Sequence, residues 1–142
     1  MTGNPLELKR IHHVEFYTGN AKQAAMFYRK AFGFSQTGYS GLETGNRAST
    51  HFLLEQNNTR FLISSGMTAD HEISRYANKY GDAVKDVAFE VADARAAYSA
   101  AIERGAQPAL EPIELNDEHG TVVSPAGRMI FRQKTKYAAG TP

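Results

Sequence analysis

The chain has 142 residues, 42% of them hydrophobic and 22% charged, with a formal net charge of +1 and no cysteine. This is globular composition, and it excludes a disulfide framework or a thiolate metal centre. There is no run of Lys or Arg to mark a nucleic-acid footprint. No apolar stretch approaches the roughly 20 residues that cross a bilayer. The opening segment, MTGNPLELKR, lacks the apolar core of a signal peptide. These features predict a cytoplasmic protein with neither nucleic acid nor membrane as partner.

The first predicted element is a strand over residues 11–18, where Ile11, His13, Glu15 and Tyr17 alternate with His12, Val14, Phe16 and Thr18. After Gly19 comes Asn20, a good N-cap because its side-chain oxygen can accept orphan amide protons of a first helical turn. A helix is predicted over 21–32, with Ala24, Phe27, Tyr28 and Ala31 on one face and Gly33 at a left-handed C-cap. Short strands follow over 34–39, 48–55 and 60–65, the last two joined by the turn Gln56-Asn57-Asn58-Thr59. Residues 66–83 read as a polar connector with a short helix around 70–80.

Val87, Phe89 and Val91 then open a second half as an alternating strand. Asp93 is its N-cap, 94–104 its helix and Gly105 its C-cap glycine. Strands are expected over 110–115, 120–124 and 128–134, with the turn Ser124-Pro125-Ala126-Gly127 between the last two. Laying HHVEFYTGNAKQAAMFYRKAFG over KDVAFEVADARAAYSAAIERGA sets Val14 on Val87, Phe16 on Phe89, Ala21 on Ala94 and Ala24 on Ala97. Each half therefore reads β-α-β-β-β. One half cannot close a core alone, because its helix covers one sheet face and the other needs a partner. The expected fold is α+β: two tandem βαβββ modules in a curved, cup-like mixed sheet with helices outside. It forms a single domain over 1–142, made of repeat one at 8–65, the connector 66–83, repeat two at 84–136 and a tail at 137–142.

Tandem βαβββ modules resemble the vicinal oxygen chelate superfamily, whose members include glyoxalase I, extradiol dioxygenases and fosfomycin-resistance proteins. Three stretches sharpen the resemblance: VEFYTGNAKQAAMFYRKAFGF, YSGLETGNRASTHFLLEQNNTRFLISS and GDAVKDVAFEVADARAAYSAAIERGA. They are similar to the N-terminal domain of 4-hydroxyphenylpyruvate dioxygenase and of its sister, 4-hydroxymandelate synthase. The similarity runs from about residue 8 to residue 137, and the strings GNAKQAA and SGLETG are its most specific parts. The resemblance implies an enzyme of about twice this length, with Fe(II) held by two His and one Glu in a C-terminal domain. It implies a metal-free N-terminal domain that serves structure and subunit contacts. KTKYAAGTP resembles the start of the interdomain linker, so the catalytic half is expected to lie outside this chain.

In such a fold, ligands can face into the cup from the opening and closing strands of each repeat. The repeat maps these positions to His13 and Asp86 on the opening strands. Pairing RFLISS with RMIFRQ gives Ile63 and Phe131 on the closing ones. Open iron sites need two His and a carboxylate, and catalytic zinc three protein ligands. One imidazole, one carboxylate and two apolar side chains do not meet either requirement. The expectation is no metal in this chain, with His13 and Asp86 the only candidates and a hydrogen-bonded pair as their structural role. His13, Tyr17, Phe52, Ile63, Asp86 and Phe131 are the candidate cup-lining residues for a small aromatic ligand. His12 is expected on the opposite strand face, His51 as a satisfied strand histidine and His71 as a solvated helix residue. The Asp117-Glu118-His119 run is expected to be a solvated loop.

No catalytic residue is assigned, since no G-x-S-x-G, P-loop, H-E-x-x-H or C-x-x-C occurs. The leading expectation is the non-metal N-terminal domain, or a stand-alone homologue, of a 4-hydroxyphenylpyruvate dioxygenase-like protein. This chain alone would be inactive, with a structural and oligomerisation role. The alternative is a stand-alone vicinal oxygen chelate protein, ligand-binding or metal-dependent, acting as a homodimer. A homodimer or a partner domain would meet the chain through sheet edges.

Overall fold

The computed structural model describes residues 3–107, and the backbone alone of Glu114–Asp117, Gly120–Val123 and Arg128–Arg132. Chain order is β1 (Leu8–Tyr17), α1 (Ala21–Phe32), β2 (Ser35–Ser40), β3 (Ser49–Gln56), β4 (Thr59–Gly66), α2 (Glu72–Tyr80), β5 (Ala83–Val91), α3 (Ala94–Glu103), β6 (Glu114–Asp117), β7 (Gly120–Val123) and β8 (Arg128–Arg132). Omitting α2, this is βαβββ twice over, the expected α+β class. The turn expected at 124–127 and the loop expected around Glu118 and His119 lie outside the described residues.

Two compact units emerge among the described residues, one of His13–Val87 and the other of Met1–His12 with Ala88–Arg132. In the first, the strand order is β2-β3-β4-β1-β5. β1 runs parallel to β4, while β3 is antiparallel to both β2 and β4. The sheet is therefore mixed, and the α1 crossover makes the parallel pair topologically accessible. β3 and β4 form a hairpin whose turn residue Asn57 sits at φ 53, a left-handed setting that asparagine tolerates. β2 is an edge strand, and its register against β3 slips between Gln36 and Gly38.

The caps read from sequence are formed. Asn20 accepts from the Gln23 amide at 3.0 Å, and Gly33 closes α1 at φ 79. Ala21 and Ala25 face the sheet and are small enough to bring α1 close to Phe52, Leu54 and Ile63. Phe16, Tyr28, Phe34, Tyr39 and Phe61 pack around this cluster. The Phe34 and Phe61 rings stack at 4.9 Å, and Tyr28 meets Phe61 edge-on at 5.4 Å. Because Phe16 pairs with Ile63 and Ile63 with Phe52, these three share the α1 side of the sheet. Glu15, Tyr17, His51 and Ser64 alternate with them and face the other way.

α2 closes onto the end of β4. A Cβ added at Gly66 would stand 2.5 Å from Ser74 Oγ and 2.7 Å from His71 Cβ, so a glycine is needed for this approach. Tyr17, buried at the end of β1, packs edge-on against Tyr76 of α2 at 5.5 Å. The buried Lys85 extends its ammonium to 4.7 Å above the Tyr76 ring, a cation–π contact.

In the second unit, the beginning of β1, the end of β5 and β8 lie side by side, and β6 pairs with β7 in a ladder of their own. Arg10 donates to Glu90 at 2.6 Å, and this hydrogen bond holds the Glu90 carboxyl below its usual range. Ala97 and Ala101 form the buried face of α3. Asp93 caps α3 by accepting from both Arg95 N at 2.9 Å and Ala96 N at 3.1 Å. Asp93→Ala is therefore expected to lower stability by about 1 kcal/mol, read as a fall in the urea midpoint with an unchanged slope.

Candidate functional site

The face turned away from α1 carries a continuous polar row, and strand register assembles it. Parallel pairing sets Glu15 beside Leu62 and Tyr17 beside Ser64. Antiparallel pairing sets Ser64 beside His51. Ser64 Oγ therefore lies between a carboxylate and an imidazole, 2.7 Å from Glu15 Oε2 and 2.6 Å from His51 Nδ1. On the other side of the ring, His51 Nε2 lies 2.7 Å from Ser49 Oγ. Ser49 Oγ in turn accepts from Asn46 Nδ2 at 3.2 Å, and Asn46 Nδ2 also reaches Ser40 Oγ at 3.2 Å.

The direction of the row follows from what each group can do. An ionised carboxylate only accepts, so Ser64 donates its hydroxyl proton to Glu15. Its oxygen then accepts from His51 Nδ1–H. That places the lone pair of a neutral ring on Nε2, where Ser49 Oγ–H donates. Asn46, Ser49, His51 and Ser64 thus all donate in one direction, from the 41–48 loop toward the Glu15 carboxylate on β1. Among the described residues, every fully buried side-chain nitrogen and oxygen has a hydrogen-bond partner.

Electrostatics supports the neutral ring. Burial lowers the His51 pKa from its ordinary value, and the nearby His71 lowers it further. Glu15 Oε2 stands 4.0 Å from His51 Nδ1, close enough to count as an ion pair were the ring charged. Burial of the ring, and after it the nearby His71, outweigh that attraction. Such a row can hold an imidazole in one tautomer and pass a proton along hydroxyls.

The candidate residues from sequence are distributed differently. Phe52 and Ile63 are corrected: they are core residues beneath α1, Ile63 with 0% exposure, and they do not face the open side. The closing-strand position on that side is Ser64, one residue along, because a one-residue slip in a strand reverses the side-chain face. His13 is half-buried and shares its strand face with Glu15. Asp86 is buried at 3% exposure. Tyr17 is buried against Tyr76. Phe131 lies in β8, where the backbone alone is described. His71 is also corrected: it is half-buried and caps α2, its Nδ1 accepting from the Ile73 amide at 3.1 Å.

His51 finds its hydrogen-bond partners in Ser49 on its own strand and Ser64 on β4, neither of which sequence reasoning places beside it. The available signal was the set of small hydroxyl residues Ser49, Ser64 and Ser65 inside otherwise apolar strands. Among the described residues, no three His, Cys, Asp or Glu side chains come together to hold a metal ion. The described residues therefore do not assemble the two-His, one-carboxylate set that an open iron site needs. No described helix is long and apolar enough to cross a membrane.

Comparison with known proteins agrees with this architecture. The chain is 43% identical over 126 residues to 4-hydroxyphenylpyruvate dioxygenase of Dictyostelium discoideum, covering 84% of this chain and 34% of that protein. It is 46% identical over 114 residues to the enzyme of the same name from Yarrowia lipolytica, covering 78% of this chain and 29% of that protein. The chain thus spans about a third of the length of the curated relatives it matches. Among solved structures, a variant of 4-hydroxymandelate synthase from Streptomyces coelicolor superposes with a TM-score of 0.70 at 24% identity. That match covers 74% of this chain and 32% of the other. Methylmalonyl-CoA epimerase from Mycobacterium tuberculosis superposes with a TM-score of 0.65 at 14% identity, over 92% of this chain and 90% of its own. These two likenesses establish the vicinal oxygen chelate fold. The family model described as "Hydroxyphenylpyruvate dioxygenase, HPPD, N-terminal" matches residues 2–137, and the chain belongs to that family.

Proposed function

We propose that this chain is the non-metal N-terminal domain of a longer 4-hydroxyphenylpyruvate dioxygenase-like protein. The observation that carries the reading is the asymmetry of coverage: 84% of this chain aligns with only 34% of a relative. Oxidative decarboxylation of an aromatic 2-oxo acid, with Fe(II) and O2, then belongs to residues outside this chain. The repeats at 8–65 and 84–136, with their connector, form one structural domain in a cytoplasmic protein. His13 and Asp86 serve as a structural pair, a role consistent with the burial of Asp86, since buried carboxylates are paired or hydrogen-bonded. Homodimerisation or packing against a partner domain is part of the same proposal. The β2 edge is a poor place for it, because its ladder is interrupted.

Elemental analysis tests the metal reading. Protein purified without chelator, then incubated with Fe(II) and dialysed, is expected to retain well under one ion per chain and to consume no oxygen with 4-hydroxyphenylpyruvate. About one tightly held ion per chain, lost in His13→Ala, overturns the proposal and revives a metal-dependent stand-alone enzyme.

A second reading, a stand-alone homodimer that binds a small aromatic ligand, draws on the Glu15–Ser64–His51 row on the face away from α1. It requires aromatic acids to shift the His51 ring resonances saturably, and unchanged resonances exclude it.

A further inference from the structure

We propose that Ser49 is an activated nucleophile, with His51 as its general base, and that this pair hydrolyses small acyl esters. The order of the row carries the inference. Ser49 Oγ lies 2.7 Å from His51 Nε2, within the reach of a hydroxyl that gives up its proton to an imidazole. His51 Nδ1 lies 2.6 Å from Ser64 Oγ, and Ser64 donates to Glu15 Oε2 at 2.7 Å. Nucleophile, base and orienting carboxylate stand in the order that serine acyl transfer needs, with one hydroxyl inserted between base and carboxylate. This chemistry is separate from the oxidation assigned to residues outside the chain and goes beyond that reading.

Each member meets one requirement of the reaction. Glu15 is a positioning residue: through Ser64 it keeps the proton of the neutral ring on Nδ1 and leaves the Nε2 lone pair facing Ser49. Its charge also favours the imidazolium that forms as Ser49 loses its proton. Ser49 Oγ attacks the carbonyl carbon of the ester while its proton passes to Nε2. The tetrahedral intermediate collapses, the bond to the leaving oxygen breaks, and Nε2–H protonates that oxygen. Water then gives a proton to the same nitrogen, attacks the acyl-serine and releases the acid, so water is the sole co-reactant. Asn46 Nδ2, 3.2 Å from Ser49 Oγ, is a donor close to where the oxyanion forms.

Access sets the class of ester. Ser49 is 8% exposed and the His51 side chain 27% exposed, so the imidazole is open to solvent while the hydroxyl admits only a small acyl group. An acetyl ester of a phenol combines a small acyl group with a leaving group that departs readily. The titratable groups facing His51 are Glu15 from β1 and His71 from the N-cap of α2; β4 presents the Ser64 hydroxyl. Burial, and after it His71, hold the ring below its ordinary value of about 6.5, which keeps it neutral and able to accept a proton near neutral pH.

The test incubates this chain with p-nitrophenyl acetate, follows release of p-nitrophenol, and locates the acetyl group by peptide mass mapping after an acid quench. The expected result is acetylation of Ser49, with a rate that rises as His51 loses its proton and is half-maximal below about pH 6.5. Ser49→Ala and His51→Gln each lower the rate about 100-fold. Glu15→Gln removes the charge that favours the imidazolium and moves the half-maximal pH downward. No acetyl group on Ser49 overturns the proposal, as does an unchanged rate in Ser49→Ala, the pattern of a histidine or lysine attacking the ester directly. An unmoved half-maximal pH in Glu15→Gln overturns the positioning role of Glu15. Mapping on the wild-type chain decides the matter even where a variant does not fold.

Discussion

Ile63→Ala is expected to destabilise the chain by about 2–5 kcal/mol, measured as a drop in urea midpoint with a constant slope. Ile63 has no exposed surface and sits between β1 and β3, with Ala21 and Ala25 of α1 above it. Truncation removes buried methylenes, and the alanines cannot move in to fill the space. The sheet holds the residue by register on both sides, so collapse is limited and the cost belongs in the middle or upper part of the range. Leu62→Ala is the control. Its side chain points to the other face and is only half-buried, so its cost is expected to be distinctly smaller. Were Ile63 the lining of an open cup, the order would reverse, with Leu62 the costlier truncation.

Ser64→Ala is the second large expectation, at about 1–3 kcal/mol. The hydroxyl is fully buried and lies between His51 Nδ1–H and the Glu15 carboxylate. Its removal strands a donor on one side and takes a hydrogen bond from an anion on the other. The ring and carboxylate are 4.0 Å apart, so neither replaces the missing contact. Ser64→Thr keeps the hydroxyl and is expected to retain the hydrogen bonds at the cost of one added methyl. Equal losses in the alanine and threonine variants, by urea unfolding, would assign the effect to packing and dismiss the hydrogen-bonded row.

The local elements were legible because single residues specify them. Asn20 and Asp93 carry acceptors suited to a first helical turn, and Gly33 can take φ 79 at no cost. Family membership was legible in GNAKQAA and SGLETG. The face of β4 was not. Phe61, Leu62 and Ile63 are apolar in succession, because a strand with neighbours on both sides and α1 above loses the clean alternation that would fix its parity. Aligning RFLISS with RMIFRQ supplied a register but no independent mark of which side faced the helix. The polar row was hidden for another reason. Glu15 lies far in the chain from the β3–β4 hairpin that carries His51 and Ser64, and only the combined parallel and antiparallel registers bring the three together.

The interrupted register at the outer strand has a consequence for growth. A free strand edge templates the next strand by offering hydrogen-bonding groups at a regular spacing, and fibrils propagate by copying that spacing. Around Thr37 the β2–β3 ladder loses step. An incoming strand that is in phase with Tyr39 and Ser40 is out of phase with Ser35 and Gln36. A continuous ladder along the whole edge is therefore disfavoured, and this side of the module is a poor template for strand-by-strand growth.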